Sequence, residues 1–540
     1  MRVTDDAGRV YPLMMVALAG VYFLVYSWLS VHRYNKFLCG AWDLGLFETL
    51  FRNILSGAGY KTFWGPFDHF EPTLVVFLPF YAVFRDARVL LVLQSAALAA
   101  AVWPLYLLAR QVSGKRAIAG AVGIAYLLYP LLGCANLYDF HNLCLSPFFF
   151  FWMLYWMVKR RWGLYALFTL FVLMVRESEA ILVLGVGLYL LSRKDWLPGA
   201  LTIAASFAWG YLAVYVLLPW ISGAKFWQAH RYQGLMSAAS WGVLTREGRL
   251  RALGYVLQCI AVAVFVLAPT GFLVLRRLRA ALFIVGPMYA ANVVSQAAFQ
   301  RVLLGHYGIT AASATLGAAA LATAGMKGFA EGEKPSRWPI FLVIVAVLSN
   351  IVLSYPATER WAYPQQPADA APAAYLRLNA AWNVLSLPIP FTSERAAFYR
   401  STPDEEAFRA MVPYFPKDAI IAAQNNLGYQ LAGRYRLRDI TATVTADYYL
   451  FRPVSADIQA ARAVTDPLMN RLRGEPGMRC FLLMNESGGK VPELAFYAAG
   501  DKALEFYENV RRASEQDGGN AALRRALAAM EKTMGLGAPR

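Results

Sequence analysis

Eleven apolar stretches punctuate the first 354 residues of this chain, and no soluble fold with a single core uses so many. They lie at about 11–31, 89–109, 117–134, 143–158, 162–176, 179–192, 197–221, 252–275, 280–298, 308–326 and 338–354. A helix that crosses a bilayer needs ~20 mostly apolar residues, so several of these are short for the task. The composition points the same way. Apolar residues make up 58% of the chain and charged residues 16%, against roughly 45–50% and 25% in ordinary soluble domains. A cytosolic enzyme and a disordered chain are both excluded. The first stretch follows Arg2 and Arg9 and has no small-residue cleavage site, so it reads as an anchor.

The net charge of +17 would suggest nucleic acid if it were spread evenly. It is not. Residues 1–354 hold 29 Lys/Arg against 14 Asp/Glu, while the last 186 residues hold 22 against 20. A surplus confined to the apolar part is a topology signal. Phe70–Phe84 decides how to read it, being apolar but short and interrupted by Pro72 and Pro79. If it does not cross, the loops on the amino-terminal side carry 16 Lys/Arg in 37 residues, including Lys159-Arg160-Arg161 and Arg276-Arg277-Leu278-Arg279. If it crosses, those clusters fall outside, against the positive-inside rule. We therefore expect Phe70–Phe84 to lie in the outer interface, with a cytoplasmic amino terminus and an extracytoplasmic tail.

With that sidedness all five histidines (His32, His69, His141, His230 and His306) fall at or beyond the outer face. So do Asp43, Glu48, Asp68, Glu71, Asp139, Glu177 and Glu179. Polar residues collect at helix ends simply because water is there, but that does not explain why the inner face has basic clusters and no histidine. The domain reading is a transmembrane part at 1–354, with a long first outer loop at 33–88, and a soluble α/β domain at 355–540. The tail opens Pro-rich (YPATERWAYPQQPADAAPAAY). Strand-like runs follow at 419–423, 446–451, 479–484 and 493–498, then helices at about 501–513 and 520–534. The five cysteines (Cys39, Cys134, Cys144, Cys259 and Cys480) form no CxxC pair, which argues against a disulfide framework or structural zinc.

Four acidic points interrupt the apolar pattern. In AWDLGLFETLFRNILSG (41–57), Asp43 stands at the start of an amphipathic helix, where a carboxylate serves as an N-cap. GPFDHFEP (65–72) places Asp68, His69 and Glu71 before the interfacial segment. YDFH (138–141) puts Asp139 and His141 in a short loop, and Arg176-Glu177-Ser178-Glu179 separates two spans. A charge at membrane depth costs up to ~3 kcal/mol on insertion scales, so such residues usually pair or serve a function. Arg301, His306 and Tyr307, in FQRVLLGHYG, supply groups suited to a phosphate. No Walker loop, GxGxxG unit or HExxH motif is present.

These segments, in this order, resemble the GT-C superfamily of glycosyltransferases that use polyprenyl-phosphate sugars. More closely, the chain resembles a family of prokaryotic predicted membrane proteins labelled only as a domain of unknown function. The matching segments are WDLGLFETLFRNILSG, DHFEPTLVVFLPFYAVF, LVLQSAALAAAVWPLYLLAR, ANLYDFHNLCLSP and VRESEAILVLGVGLYLL, with weaker matches at HRYQGL, GHYG and FPKDAIIAAQNNLGYQLAGR. The resemblance implies a GT-C-like fold of about eleven transmembrane helices, with juxtamembrane helices in the first outer loop and the α/β domain outside. It also implies an integral protein of the cytoplasmic (inner) membrane, in the cell envelope. The implied activity is inverting transfer of a sugar from a polyprenyl-phosphate donor to a lipid, glycan or protein acceptor at the outer face.

In GT-C enzymes the acid of the first loop is the base, a role that carries over to Asp43. Asp68 and Asp139 are the other catalytic candidates. His69, His141, Arg176, Glu177, Arg301, His306 and Tyr307 are the candidate substrate-binding residues, with Arg176, Arg301 and His306 facing the lipid phosphate. Asp43 lacks the Asp-x-Asp partner common in the superfamily. That departure argues against a tightly bound metal, and the resemblance implies no cofactor beyond a divalent cation, Mg or Mn. The partners are the lipid-linked donor, the acceptor and the bilayer, with no nucleic acid. Two other readings stay open: a transporter or flippase of a lipid-linked or anionic substrate, and a non-catalytic assembly subunit of the same fold.

Overall fold

The computed structural model describes residues 6–37, 39–223, 226, 230–232, 246–295, 297–301, 303, 305–326, 337–353, 403–441, 443–452, 462–483 and 494–534. The Pro-rich opening of the tail, most of the basic loop at 327–337 and the end of HRYQGL lie outside the described residues.

Among the described residues, five helices are long and apolar enough to cross a membrane by themselves: Val10–Asn35, Ala87–Ser113, Arg116–Leu137, Trp196–Ser222 and Leu253–Thr270. Asn142–Val158, Trp162–Val175, Tyr307–Ala322 and Trp338–Asn350 are shorter apolar helices. The other two expected spans are the helix Ala180–Ser192 and a π-helical turn, Ala281–Val285, that continues as the helix Gly286–Val293. All eleven stretches are thus helical, but fewer than half have full spanning length. Their outward faces carry large apolar side chains, among them Leu13, Leu24, Leu201, Phe207, Leu253 and Ile344, as expected where the solvent is lipid. Tyr307–Ala322 is different: nearly all of it is buried, and its Gly/Ala/Ser/Thr composition lets neighbouring helices approach closely.

Phe70–Phe84 forms a 3₁₀ turn, Pro72–Val76, and a short helix, Leu78–Phe84. Thr73, Leu74, Phe77 and Tyr81 face the protein, while Val75, Val76, Phe80, Val83 and Phe84 are exposed. This is the one-sided pattern of a segment lying along the bundle. Even as continuous helix it would rise only ~20 Å, short of the ~30 Å hydrocarbon core. Before it, strands β1 (Lys61–Thr62) and β2 (Gly65–Pro66) pair antiparallel and carry Phe63-Trp64 at their tip.

The tail contains a five-stranded mixed sheet of β3 (Ile420–Ala423), β4 (Arg436–Asp439), β5 (Tyr448–Phe451), β6 (Met478–Leu483) and β7 (Leu494–Ala499), in the order β4-β3-β5-β7-β6. β3 is parallel to β4 and β5, and β7 is antiparallel to β5 and β6. Alternation along the strands covers both faces. Ile421, Tyr448, Leu450, Phe481 and Phe496 join Phe415, Phe506, Val510 and Leu523 in one core. Ala422, Tyr449, Phe451, Ala495 and Tyr497 pack with Leu468 and Leu472 of the helix Arg462–Gly474 in a second core. The four strand-like runs read from the sequence are strands. β4 was not read because RLRD is an edge strand whose outward residues are charged.

The first tail core is continuous with the core of the helical bundle. Contact is made at the carboxyl end of the first helix, Asp6–Asn35, and at residues 40–45. The tail and the first loop therefore share one face of the bundle, which requires an even number of crossings between them. Reporter fusions after Gly325 and after Tyr363 are expected to report inside and outside respectively. The reverse pattern would place Phe70–Phe84 across the membrane.

Candidate functional site

The first loop opens with a π-helical turn, Ala41–Gly45, closed by the Gly45 N–H on the Gly40 carbonyl at 3.2 Å, and continues as the helix Leu46–Leu55. Such turns are rare and cluster at functional sites. Gly40 precedes the turn and has no side chain to cap it. The Gly40 N–H instead donates to Asp139 Oδ2 at 2.6 Å. Asp43 is inside the turn rather than at its start, so the N-cap role open to it in the sequence is not the one it has. The carboxylate points sideways to YDFH: Tyr138 O–H donates to Oδ2 at 2.8 Å, and His141 Nε2 lies 3.3 Å from Oδ1.

The hydrogen bonds fix what His141 can do. Its Nδ1 is 3.1 Å from the Asp139 carbonyl, which can only accept, so Nδ1 carries the proton. Nε2 then faces the Asp43 carboxylate either as part of an imidazolium or with its lone pair toward a cation between them. His306 stacks on His141 with ring centroids 3.7 Å apart, and its buried Nδ1 has no hydrogen-bond partner among the described residues. Burial first, and then the neighbouring His141, hold the His306 imidazole well below its usual pKa and so neutral. Asp43, His141 and His306 offer ligand atoms that all lie within 4.8 Å of one another. Two imidazoles and a carboxylate suit Zn²⁺ or Mn²⁺ better than Mg²⁺, which prefers an oxygen shell.

Asp139 stands beside this group but is almost fully buried and holds the Gly40 N–H. Burial, and then the Asp43 carboxylate, raise its pKa. Its position suits holding the loop.

A second polar group adjoins the first. His69 Nδ1 is 2.6 Å from Glu177 Oε1, and the Phe70 N–H donates to Glu177 Oε2 at 3.1 Å. Arg176 donates to His69 Nε2 and pairs with Glu71 Oε1 at 3.2 Å. Burial pushes Glu71 up to about 7, with Arg176 opposing, so Glu71 binds a proton readily near neutral pH. Burial also pushes Glu177 up, but His69 and Arg176 outweigh it and hold Glu177 below the usual range. Asp68 is partly exposed, 3.9 Å from His69. Glu179 faces away from this group and accepts from Ser146 and Thr310 between helices.

Together with Arg231, Tyr232, Gln300, Tyr307 and Thr310, the residues His69, Arg176 and Glu177 line a cavity of about 90 Å³. Arg176 enters it already matched by carboxylates. Arg231 donates to Tyr307 Oη at 2.9 Å and approaches Gln300 Oε1 at 3.5 Å, both neutral, and it forms no ion pair with a carboxylate among the described residues. Arg301, expected at the phosphate, does not line this cavity: its guanidinium donates to the Ser295 carbonyl at 2.9 Å. A single step along the helix Ala298–Arg301, a rotation of about 100°, explains the difference. Gln300 points inward, and its neighbour Arg301 is carried to the other side.

The structure thus brings Asp43, Asp139, His141 and His306 together, sets His69, Arg176, Glu177 and Tyr307 around the adjoining cavity, and leaves Asp68 at its edge. The rings of His306 and Tyr307, 4.0 Å apart, join the two groups. Sequence reasoning assigned no role to Tyr138 or Arg231, although both stand in matched segments, YDFH and HRYQGL. The available signal was an arginine set between His230 and Tyr232 in a loop between apolar stretches.

Two solved structures align with much of this chain. ArnT from Cupriavidus metallidurans bound to undecaprenyl phosphate aligns over 81% of this chain and 87% of its own, at 14% identity and a TM-score of 0.47. The Archaeoglobus fulgidus oligosaccharyltransferase in the apo form aligns over 78% of this chain and 64% of its own, at 14% identity and a TM-score of 0.39. At those scores the likeness carries no argument about activity. No curated protein matches the chain. One family model does, over residues 33–454, a range that holds every residue of the site, and the chain belongs to that family: the predicted membrane proteins of DUF2079.

Proposed function

We propose that this protein is a glycosyltransferase that moves a sugar from a polyprenyl-phosphate donor to an acceptor hydroxyl at the outer face of the cytoplasmic membrane. The observation that carries the reading is Asp43. Its carboxylate is aimed by Tyr138 and His141 on one side, and the cavity that holds Arg231 and Arg176 adjoins the group on the other. The order of matching motifs from Trp42 to Leu191 supports it as well.

Asp43 accepts the proton of the acceptor hydroxyl as the acceptor oxygen attacks the anomeric carbon. The bond from that carbon to the phosphate oxygen breaks on the opposite side, and configuration inverts. The lipid phosphate leaves with the bonding electrons and is received by Arg231 and the Tyr307 hydroxyl, which bind it through charge-assisted and neutral hydrogen bonds. With no cation between them, His141 as an imidazolium would hold the charge of Asp43 in place. A divalent cation bound by Asp43, His141 and His306 would add positive charge where the phosphate departs. Asp139 and the network of His69, Arg176, Glu71 and Glu177 keep the loops in register. Asp68, at the rim, contacts the acceptor.

Lipid extracts of a strain lacking the gene test the reading. A polyprenyl-phosphate sugar is expected to accumulate and to return to the wild-type level on complementation. Unchanged lipid-linked sugars, with a defect in uptake or translocation instead, would favour a transporter.

A further inference from the structure

The turn that carries Asp43 is held from outside the membrane part. Trp42, the residue before Asp43, donates its backbone N–H to Asn425 Oδ1 at 3.0 Å, across 383 positions of sequence. Its indole Nε1–H donates to Asp439 Oδ1 at 3.0 Å. The first N–H groups of a helical turn have no partner within it and need one from elsewhere. Here no neighbouring side chain supplies one. Asp139 takes the Gly40 N–H and Asn425 takes the Trp42 N–H, so two side chains from different parts of the fold set where the turn begins.

The chain just before the turn is gripped in the same way. Carbonyls at the carboxyl end of the first helix also lack intrahelical partners. The tail supplies them: Tyr429 O–H donates to the Tyr34 carbonyl, Arg409 to that of Asn35, and Arg452 to that of Lys36. Two guanidinium groups there also complement the negative end of the helix dipole. Lys36 and Arg452 both pair with the buried Glu405, at 3.0 and 3.1 Å. The backbones meet without side chains between them. A Cβ on Gly45 would come within 3.0 Å of Ala432 Cβ and 3.3 Å of Tyr429 Cα, and a Cβ on Gly428 within 3.0 Å of Ala41 Cβ.

The geometry points to the tail domain as a built-in clamp of the catalytic turn, with Asn425 as the positioning residue that sets the direction of the Asp43 carboxylate. The inference rests on the role proposed for Asp43, but the clamp itself can be measured without any transfer assay. The tail is then part of the catalytic unit rather than an appended module, and its surface beside Trp42 forms one wall of the acceptor side.

Hydrogen exchange on the full-length protein in detergent, wild type against Asn425→Ala and Asn425→Asp, tests it. Losing a buried hydrogen bond corresponds to roughly a 5- to 150-fold change in the opening equilibrium. Amides of residues 41–45 are expected to exchange faster by about that factor in Asn425→Ala, while those of β3, β5 and β7 keep their protection. Asn425→Asp retains the acceptor oxygen and should restore slow exchange. In a transfer assay, Asn425→Ala should lower kcat with the donor KM unchanged, and Asn425→Asp should recover most of the loss. Unchanged exchange at 41–45 in Asn425→Ala would overturn the clamp, as would equal loosening of the tail strands, which marks a fold defect. Faster exchange at 41–45 with normal kcat would remove the positioning role of Asn425. Faster exchange in a protein whose wild type transfers no sugar would leave the clamp standing and sink the transferase reading.

Discussion

Asp43→Asn is expected to insert and fold like the wild type while losing nearly all transfer activity. Asparagine keeps an oxygen for the Tyr138 hydroxyl, and its amide can donate to His141 Nε2, so both contacts of the carboxylate survive in neutral form. Because Asp43 caps no helix, little helix stability is at stake. What the amide cannot do is take a proton. A positioned base typically contributes ~10²–10⁴-fold, so turnover should fall by about that factor with donor binding retained. Single-turnover transfer and equilibrium binding of the lipid-phosphate donor, both in nanodiscs, separate the two quantities. Near-normal turnover would take Asp43 out of the mechanism and leave Asp68 as the acid with access to an acceptor, since Asp139 is buried against Gly40.

A second pair of variants divides the metal-ligand set from the phosphate cavity. His306→Phe keeps a ring stacked on His141 but removes the nitrogens. The protein is expected to lose both a bound Zn²⁺ or Mn²⁺, counted per chain by elemental analysis, and most of its turnover. Arg231→Met keeps the bulk of the side chain and removes the charge. It should retain the metal while donor affinity falls about tenfold to 150-fold, the equivalent of one charge-assisted hydrogen bond at ~1.5–3 kcal/mol. Arg301→Met, outside the cavity, should leave donor affinity near the wild-type value. If His306→Phe retained the metal and weakened only donor binding, His306 would belong to the phosphate, as the sequence alone suggested. If Arg301 rather than Arg231 carried the donor effect, the cavity assignment would fail.

Much of the architecture is legible from local pattern. Apolar runs of helical length mark the bundle, and short apolar runs mark four of the five strands in the tail sheet, three of them buried on both faces. The short, Pro-interrupted Phe70–Phe84 forms two short helical pieces that bury one side against the bundle and expose the other. The acidic and histidine segments of the loops were also visible as candidates, since charge and imidazole are conspicuous in an apolar chain. Edge strand β4 and the helix Arg462–Gly474 escaped because one is charged on its open side and the other contains Pro467.

By itself, then, the sequence determined that the chain lives in a bilayer, where its helices lie and which loop segments carry its chemistry-bearing residues. Those properties follow from the solvent preference of each residue and from periods of two or 3.6 residues. Only the tertiary structure decided which of the gathered residues meet. Gly40 and Asp139 lie 99 positions apart, Trp42 and Asn425 383, and Glu179 and Thr310 131. No local period encodes such separations. The same packing turned Asp43 from a helix cap into a side chain facing Tyr138 and His141, matched Arg176 with carboxylates, and put Arg231 rather than Arg301 in the cavity. Side-chain direction at a loop is set by whatever packs against it, and here that includes a domain some four hundred residues further along the chain.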